Sequence, residues 1–387
     1  MVGSKEEFSA WTTWVAFFTL PLVAFGELAA YRAIRAVAIE TLGAAGPDGM
    51  AALEVSLYYQ FGGMLAAALA IAVFGPHLVA GGALALLLGG GAWLLSDPGA
   101  VPFWVAMVGH GMAWVSILAA MGASATGGTP GLRYAIVFGF YAMSNLTHTL
   151  APLVPDDYRW TGLAACGAGL ALLPIPTLTW WFAKKQPRPP EEGATTRVMG
   201  AALLVFVLLL SAKAVWALLN PIRIPADPDS TMGMIQLVAN PITVITTSLL
   251  TIPVLLVLQL LKKPAAIGAL SGVGALLMST AAVLTWSMGD ATPAVLMLIM
   301  VGLGEVFIYP WAYGRMVSDC HWRVTGLLAM FAMLPQLLVR NPVELTAVGA
   351  AMILALLAIP IGALGWFADE WVFGDDLGPP VPRGRSR

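Results

Sequence analysis

The sequence predicts an all-α integral membrane fold of about twelve transmembrane helices in two bundles of about six, on three observations. Of the 387 residues, 59% are hydrophobic and only 10% charged, with a mean hydropathy of +0.83, whereas a soluble domain carries roughly 25% charged residues. Apolar stretches of about 20 residues recur from Trp11 to Phe367, each long enough to cross about 30 Å of hydrocarbon at about 1.5 Å per residue. Alternating strand patterns of about ten residues are absent, which sets a β-barrel aside.

Pro, Gly and charge breaks divide the apolar runs into helices near 11–42, 51–74, 77–96, 102–124, 132–154 and 159–183. A second six follow near 199–220, 232–261, 265–288, 292–317, 323–339 and 343–367. Residues 1–183 therefore form an N-terminal six-helix bundle and 199–367 a C-terminal one. Between them, 184–198 begins Lys184-Lys185-Gln186-Pro187-Arg188-Pro189-Pro190-Glu191-Glu192 and reads as a cytoplasmic linker. Residues 368–387, charged and rich in Pro and Gly, read as a flexible cytoplasmic tail. The first apolar run is long, contains Glu27 and lacks a small-residue cleavage site, so it reads as a span and not as a secretory signal.

Lysine and arginine in the connections set the orientation. With the N-terminus inside, the inner loops hold Lys5, Arg133, Lys184, Lys185, Arg188, Arg197, Lys262, Lys263, Arg315, Arg323, Arg383, Arg385 and Arg387. The outer loops hold mainly acids, among them Asp48, Asp97, Asp156, Asp157, Asp227, Asp229 and Asp290. The expected location is the inner (cytoplasmic) membrane, multi-pass, with both termini cytoplasmic. A net charge of −2 argues for neither a nucleic acid nor an acidic partner. Cys166 and Cys320 have no CxxC or Cys/His metal spacing around them and read as packing residues.

An ionisable side chain at bilayer depth costs roughly 2.5–3.5 kcal/mol on insertion scales, so each one in a span calls for a reason. Glu27, Tyr31 and Arg35 follow one another at four-residue steps and form a polar stripe on the first helix. Arg32 and Arg35, towards its outer end, have snorkelling to the interface as an alternative. Glu305 lies in Gly302-Leu303-Gly304-Glu305-Val306-Phe307-Ile308-Tyr309-Pro310, the most deeply placed carboxylate of the second half. Lys213 is similarly deep on the seventh helix and has Glu305 or Glu27 as its candidate partner. His110 and His148 read as satisfied interior histidines ahead of proton relays, with His110 kept among the coupling candidates.

Histidines with metal-ligand spacing, GxSxG and HExxH are all missing, and no lysine follows Gly89-Gly90-Gly91 to make a phosphate loop. Neither a cofactor nor a metal is implied, and an enzyme is not expected.

Six plus six helices with a central inner linker resemble the major facilitator architecture. Several segments resemble the proton-dependent oligopeptide transporters within it. That family's first-helix pattern ExxERFxYYGxR is similar to Ala24-Phe25-Gly26-Glu27-Leu28-Ala29-Ala30-Tyr31-Arg32-Ala33-Ile34-Arg35, with Glu27, Tyr31 and Arg35 matching. Its FYxxINxG with a following AP pair resembles Phe140-Tyr141-Ala142-Met143-Ser144-Asn145-Leu146 and Ala151-Pro152. Its FWAL, NP and GELxxSP motifs resemble Val215-Trp216-Ala217-Leu218, Asn240-Pro241 and Gly304-Glu305-Val306-Phe307-Ile308-Tyr309-Pro310.

The departures fall on the family's charges. Its fourth-helix lysine is replaced by Trp114, and the seventh-helix acid by Asn220. The long loop between its second and third helices shrinks to Ala72-Val73-Phe74-Gly75-Pro76-His77. Glu27, Arg35 and Glu305 are then left without their usual partners, and an Arg35 pair with Glu305 or Glu27 is expected, since a lone buried charge costs roughly 3–5 kcal/mol.

The resemblance implies a secondary transporter of a small solute, peptide-like or zwitterionic, with the family's proton-coupling machinery degraded. The cavity residues it implies are Glu27, Tyr31, Arg35, Asn145, Trp216, Asn220, Asn240 and Glu305. Candidate coupling residues are Glu27, Lys213, Glu305 and His110. The expected partners are the bilayer, the solute and no nucleic acid. The alternative is a transport-inactive structural or assembly subunit of a larger membrane complex, which would bring other membrane subunits as partners.

Overall fold

The computed structural model describes residues 5–125, 158–183, 205–215, 265–288, 294–317 and 322–338, with scattered helical positions between 136 and 147, at 203 and between 349 and 356. Every element among them is helical. In chain order they are α1 (Lys5–Gly43), α2 (Pro47–Phe74), α3 (Pro76–Ser96), α4 (Ala100–Ser124), α5 (Tyr158–Leu172), α6 (Pro174–Ala183), α7 (Val205–Val215), α8 (Ala265–Met288), α9 (Ala294–Val317) and α10 (Trp322–Leu338). Among the described residues, five stretches are long and apolar enough to cross a membrane: Trp11–Gly43, Pro47–Phe74, Pro76–Ser96, Ala100–Ser124 and Arg159–Phe182. The expected linker 184–198, eighth helix and tail lie outside the described residues.

Turn chemistry sets the breaks. Pro47 and Pro76 each open a helix, where the missing N–H would have had no partner in any case. Between α2 and α3 the connection is Gly75 alone, at φ 85° and ψ 156°, a conformation a side chain rarely adopts. The Trp180 ring would also lie 3.0 Å from a Cβ there.

Lipid is as apolar as leucine, so helices in a membrane associate through close packing, and small residues let the backbones approach. α4 sits at the centre of the first half, packed against α1, α2 and α3. Its approach to α2 depends on Gly111, where a Cβ would lie 2.0 Å from the Gln60 carbonyl oxygen. α1 reaches α5 in the same way, with a Cβ on Gly26 falling 2.3 Å from the Ala165 carbonyl oxygen. Cys166 is fully buried at this contact, a packing position. Gly111→Ala is expected to cost about 1–3 kcal/mol through overpacking and to lower the unfolding temperature of the purified protein, whereas Gly62→Ala, with open space at its Cβ, should leave it unchanged.

The two halves of the chain meet where α2 and α4 end. α10 packs on α2 and α4, and α9 on α4. A Cβ on Gly122 would stand 2.3 Å from the Val317 carbonyl oxygen, and one on Gly326 3.0 Å from that of Ala68. Trp180 meets Trp322 edge to face at 5.9 Å between centroids. Beneath this contact, His77 Nε2 and the Ser124 hydroxyl lie 2.9 Å apart, and Thr13 donates to the Ser124 carbonyl at 3.3 Å.

Candidate functional site

The polar stripe on α1 faces α4. Glu27 is fully buried, and its carboxylate Oε1 shares a hydrogen bond with His110 Nδ1, also fully buried. One turn along α1, the Tyr31 ring lies flat on the His110 imidazole, with centroids 3.7 Å apart and planes at 5°. One turn along α4 from His110, the Trp114 ring closes the other side at 4.6 Å and 60°. Two four-residue steps, one per helix, thus make a single cluster. Gly109 and Gly111 flank His110 and hold α4 tightly to α3 and α2, with a Cβ on Gly109 falling 2.5 Å from the Leu87 nitrogen. This packing turns His110 to the α1 face.

Arg35 is exposed and donates from Nη1 to the Tyr31 hydroxyl at 3.4 Å. The expected Arg35 pair with Glu27 or Glu305 is not formed: Glu27 pairs with His110, and Tyr31 takes Arg35. The physical reason is register. Glu27 and Arg35 stand eight positions apart, and the ring of Tyr31, stacked on the imidazole, fills the space between them. Nor does Arg32 simply snorkel; half-buried, it donates from Nε to Thr147 Oγ1 at 3.0 Å.

Glu27 Oε2, His110 Nε2 and Trp114 Nε1 are buried and have no hydrogen-bond partner among the described residues. Among the described residues, His110 is thus partnered at one ring nitrogen.

In the second half, Glu305 is buried on α9 at 5% exposure, and Lys213 is half-buried on α7. Asn145, Trp216, Asn220, Asn240 and His148 lie outside the described residues. Sequence reasoning noted Trp114 only as the place of a missing lysine. Its four-residue step from His110 was the signal that it belongs to the cluster.

No known family's sequence pattern matches the chain, and no curated protein sequence matches it. Solved structures do. The fucose:proton symporter FucP of E. coli superposes with a TM-score of 0.58 at 11% identity, over 90% of this chain and 98% of that one. The major facilitator superfamily proton:xylose symporter XylE gives 0.59 at 13% identity, over 96% and 93%. The human organic anion transporter MFSD10 (TETRAN) gives 0.58 at 13% identity, over 96% of each chain. These superpositions run over nearly the full length of both partners in each pair, and with the all-helical, lipid-length elements they give this chain the major facilitator fold.

Proposed function

We propose that this chain is a secondary transporter of a small polar solute in which the Glu27–His110 pair carries the coupling proton. The observation that supports it above the rest is the pair itself: a carboxylate and an imidazole, fully buried, hydrogen-bonded and each with a second polar atom unpartnered among the described residues. Burying such groups half-satisfied is costly. An ionisable pair inside a span is a functional candidate by default.

The coupling is not of the oligopeptide-transporter form, because Trp114 stands where that family has its lysine. His110, one turn before it, supplies the base. Tyr31 and Arg35, with acids in both halves, suit a zwitterionic or short-peptide solute, in keeping with the motif resemblance. The surplus of Lys and Arg in alternate loops supports an inner-membrane protein with both termini cytoplasmic, and the end where α4 meets α9 would then face the cytoplasm.

Uptake of labelled amino acids and di- and tripeptides into proteoliposomes under an imposed proton gradient tests the reading. Wild type should accumulate at least one of them, and Glu27→Gln should lose gradient-driven accumulation while keeping solute counterflow. Absence of uptake across the panel, together with co-purification of partners at fixed stoichiometry, would favour the subunit reading.

A further inference from the structure

Two kinds of contact join the halves at the end where α2 and α4 stop. At Gly122 and Gly326 a glycine lies against the backbone of the other half, at Val317 and Ala68 respectively. Such contacts part only when whole helices move. Trp322 is different. It is the first residue of α10 and is half-buried. Its ring meets that of Trp180 on α6 edge to face, with centroids 5.9 Å apart and planes at 84°. A ring can leave such a contact by a change of rotamer while the backbone stays in place.

The seat for Trp322 is built by the first half. Trp180 is buried and leans on the His77 ring, with centroids 4.8 Å apart and planes at 31°. His77 is itself buried, and its Nε2 lies 2.9 Å from the hydroxyl of Ser124, the last residue of α4. That hydrogen bond ties the imidazole to α4. Gly75 leaves the space in which both tryptophans sit: a Cβ there would lie 3.0 Å from Trp180 Cη2, 3.4 Å from Trp180 Cζ3 and 3.9 Å from Trp322 Cζ3. Its φ of 85° is one that a residue with a side chain rarely adopts. With His77 tied to Ser124, a Trp180 ring pushed off Gly75 has Trp322 as the neighbour that can give way.

We infer that Trp322 and its seat of Gly75, His77 and Trp180 form an aromatic latch between the halves. With Trp322 seated on Trp180 this end of the molecule stays closed, and release of that ring precedes the parting of the helices. The latch rests on the transport reading in one respect, that the halves part at this end. It is measured without a solute, so a failure to transport would leave it standing, and a failed latch would leave the Glu27–His110 pair untouched.

Thiol labelling of the full chain in nanodiscs tests it, with Cys166 and Cys320 replaced by serine and a cysteine at Ala125, buried at this end. Trp322→Ala should raise the rate of reaction with a water-soluble maleimide about tenfold, the upper scale on which one aromatic pair biases an equilibrium. Trp322→Phe, which keeps a ring edge, should stay within about twofold of the parent. Gly75→Ala should raise the rate as Trp322→Ala does, and the two together should be no faster than the faster single, because both act through one seat. Each variant is scored only with a cooperative unfolding transition. Should Trp322→Ala lack one, Trp322→Leu, bulky and apolar without a ring, carries the same expectation. An unchanged rate in Trp322→Ala or Trp322→Leu, an equal rise in Trp322→Phe, or additive effects in the double variant would overturn the latch.

Discussion

His110→Ala is expected to be among the most damaging single substitutions in the first half. It strips the Glu27 carboxylate of its partner at a site with no exposure and removes the ring on which Tyr31 and Trp114 pack. Leaving one member of a buried pair uncompensated costs about 3–5 kcal/mol, and the lost ring contacts add to it. Unfolding of the purified protein in nanodiscs should shift down by about 10 °C, and gradient-driven uptake should be lost. Adding Glu27→Gln in the same chain should recover part of the stability, because it removes the stranded charge, yet recover none of the coupling. A double variant as unstable as the sum of its singles would show that the two side chains do not act on one another.

Gly122→Val is expected to have the second large effect, on conformation. Its Cβ would stand 2.3 Å from the Val317 carbonyl oxygen, about 1 Å inside the closest comfortable carbon–oxygen approach. Neither neighbour is a flexible side-chain end, so α4 and α9 must part. Overpacking of about 1–3 kcal/mol directed against the closed arrangement shifts its population by roughly five- to hundredfold. In a chain with Cys166 and Cys320 replaced by serine, a cysteine at Ala125, fully buried at this end, should react about tenfold faster with an impermeant maleimide once Gly122→Val is added. Unchanged reactivity would mean that the contact does not hold the halves together.

The described spans were legible because lipid imposes length and apolarity on each of them. The expected helix 77–96 became Pro76–Ser96, since Gly75-Pro76 punctuates the run, and the expected 265–288 is helical as Ala265–Met288. The stripe of Glu27, Tyr31 and Arg35 was legible for a related reason: four-residue steps put residues on one side of any helix. Partners were not legible. That Glu27 meets His110, and not Arg35, depends on how far α4 is turned about its axis. Gly109 and Gly111 decide that turn through backbone contacts with α3 and α2 that no periodicity in α4 itself records. A pattern borrowed from the oligopeptide transporters pointed at Arg35, because that family has a lysine where Trp114 stands here and Trp114 instead packs on His110.

The site's central property, the buried hydrogen bond between Glu27 and His110, does not require knowledge of the solute to be measured. Infrared spectra of the reconstituted protein should show a carboxyl or carboxylate band that disappears in Glu27→Gln and shifts in His110→Ala. A Glu27 band that does not move in His110→Ala would contradict the account.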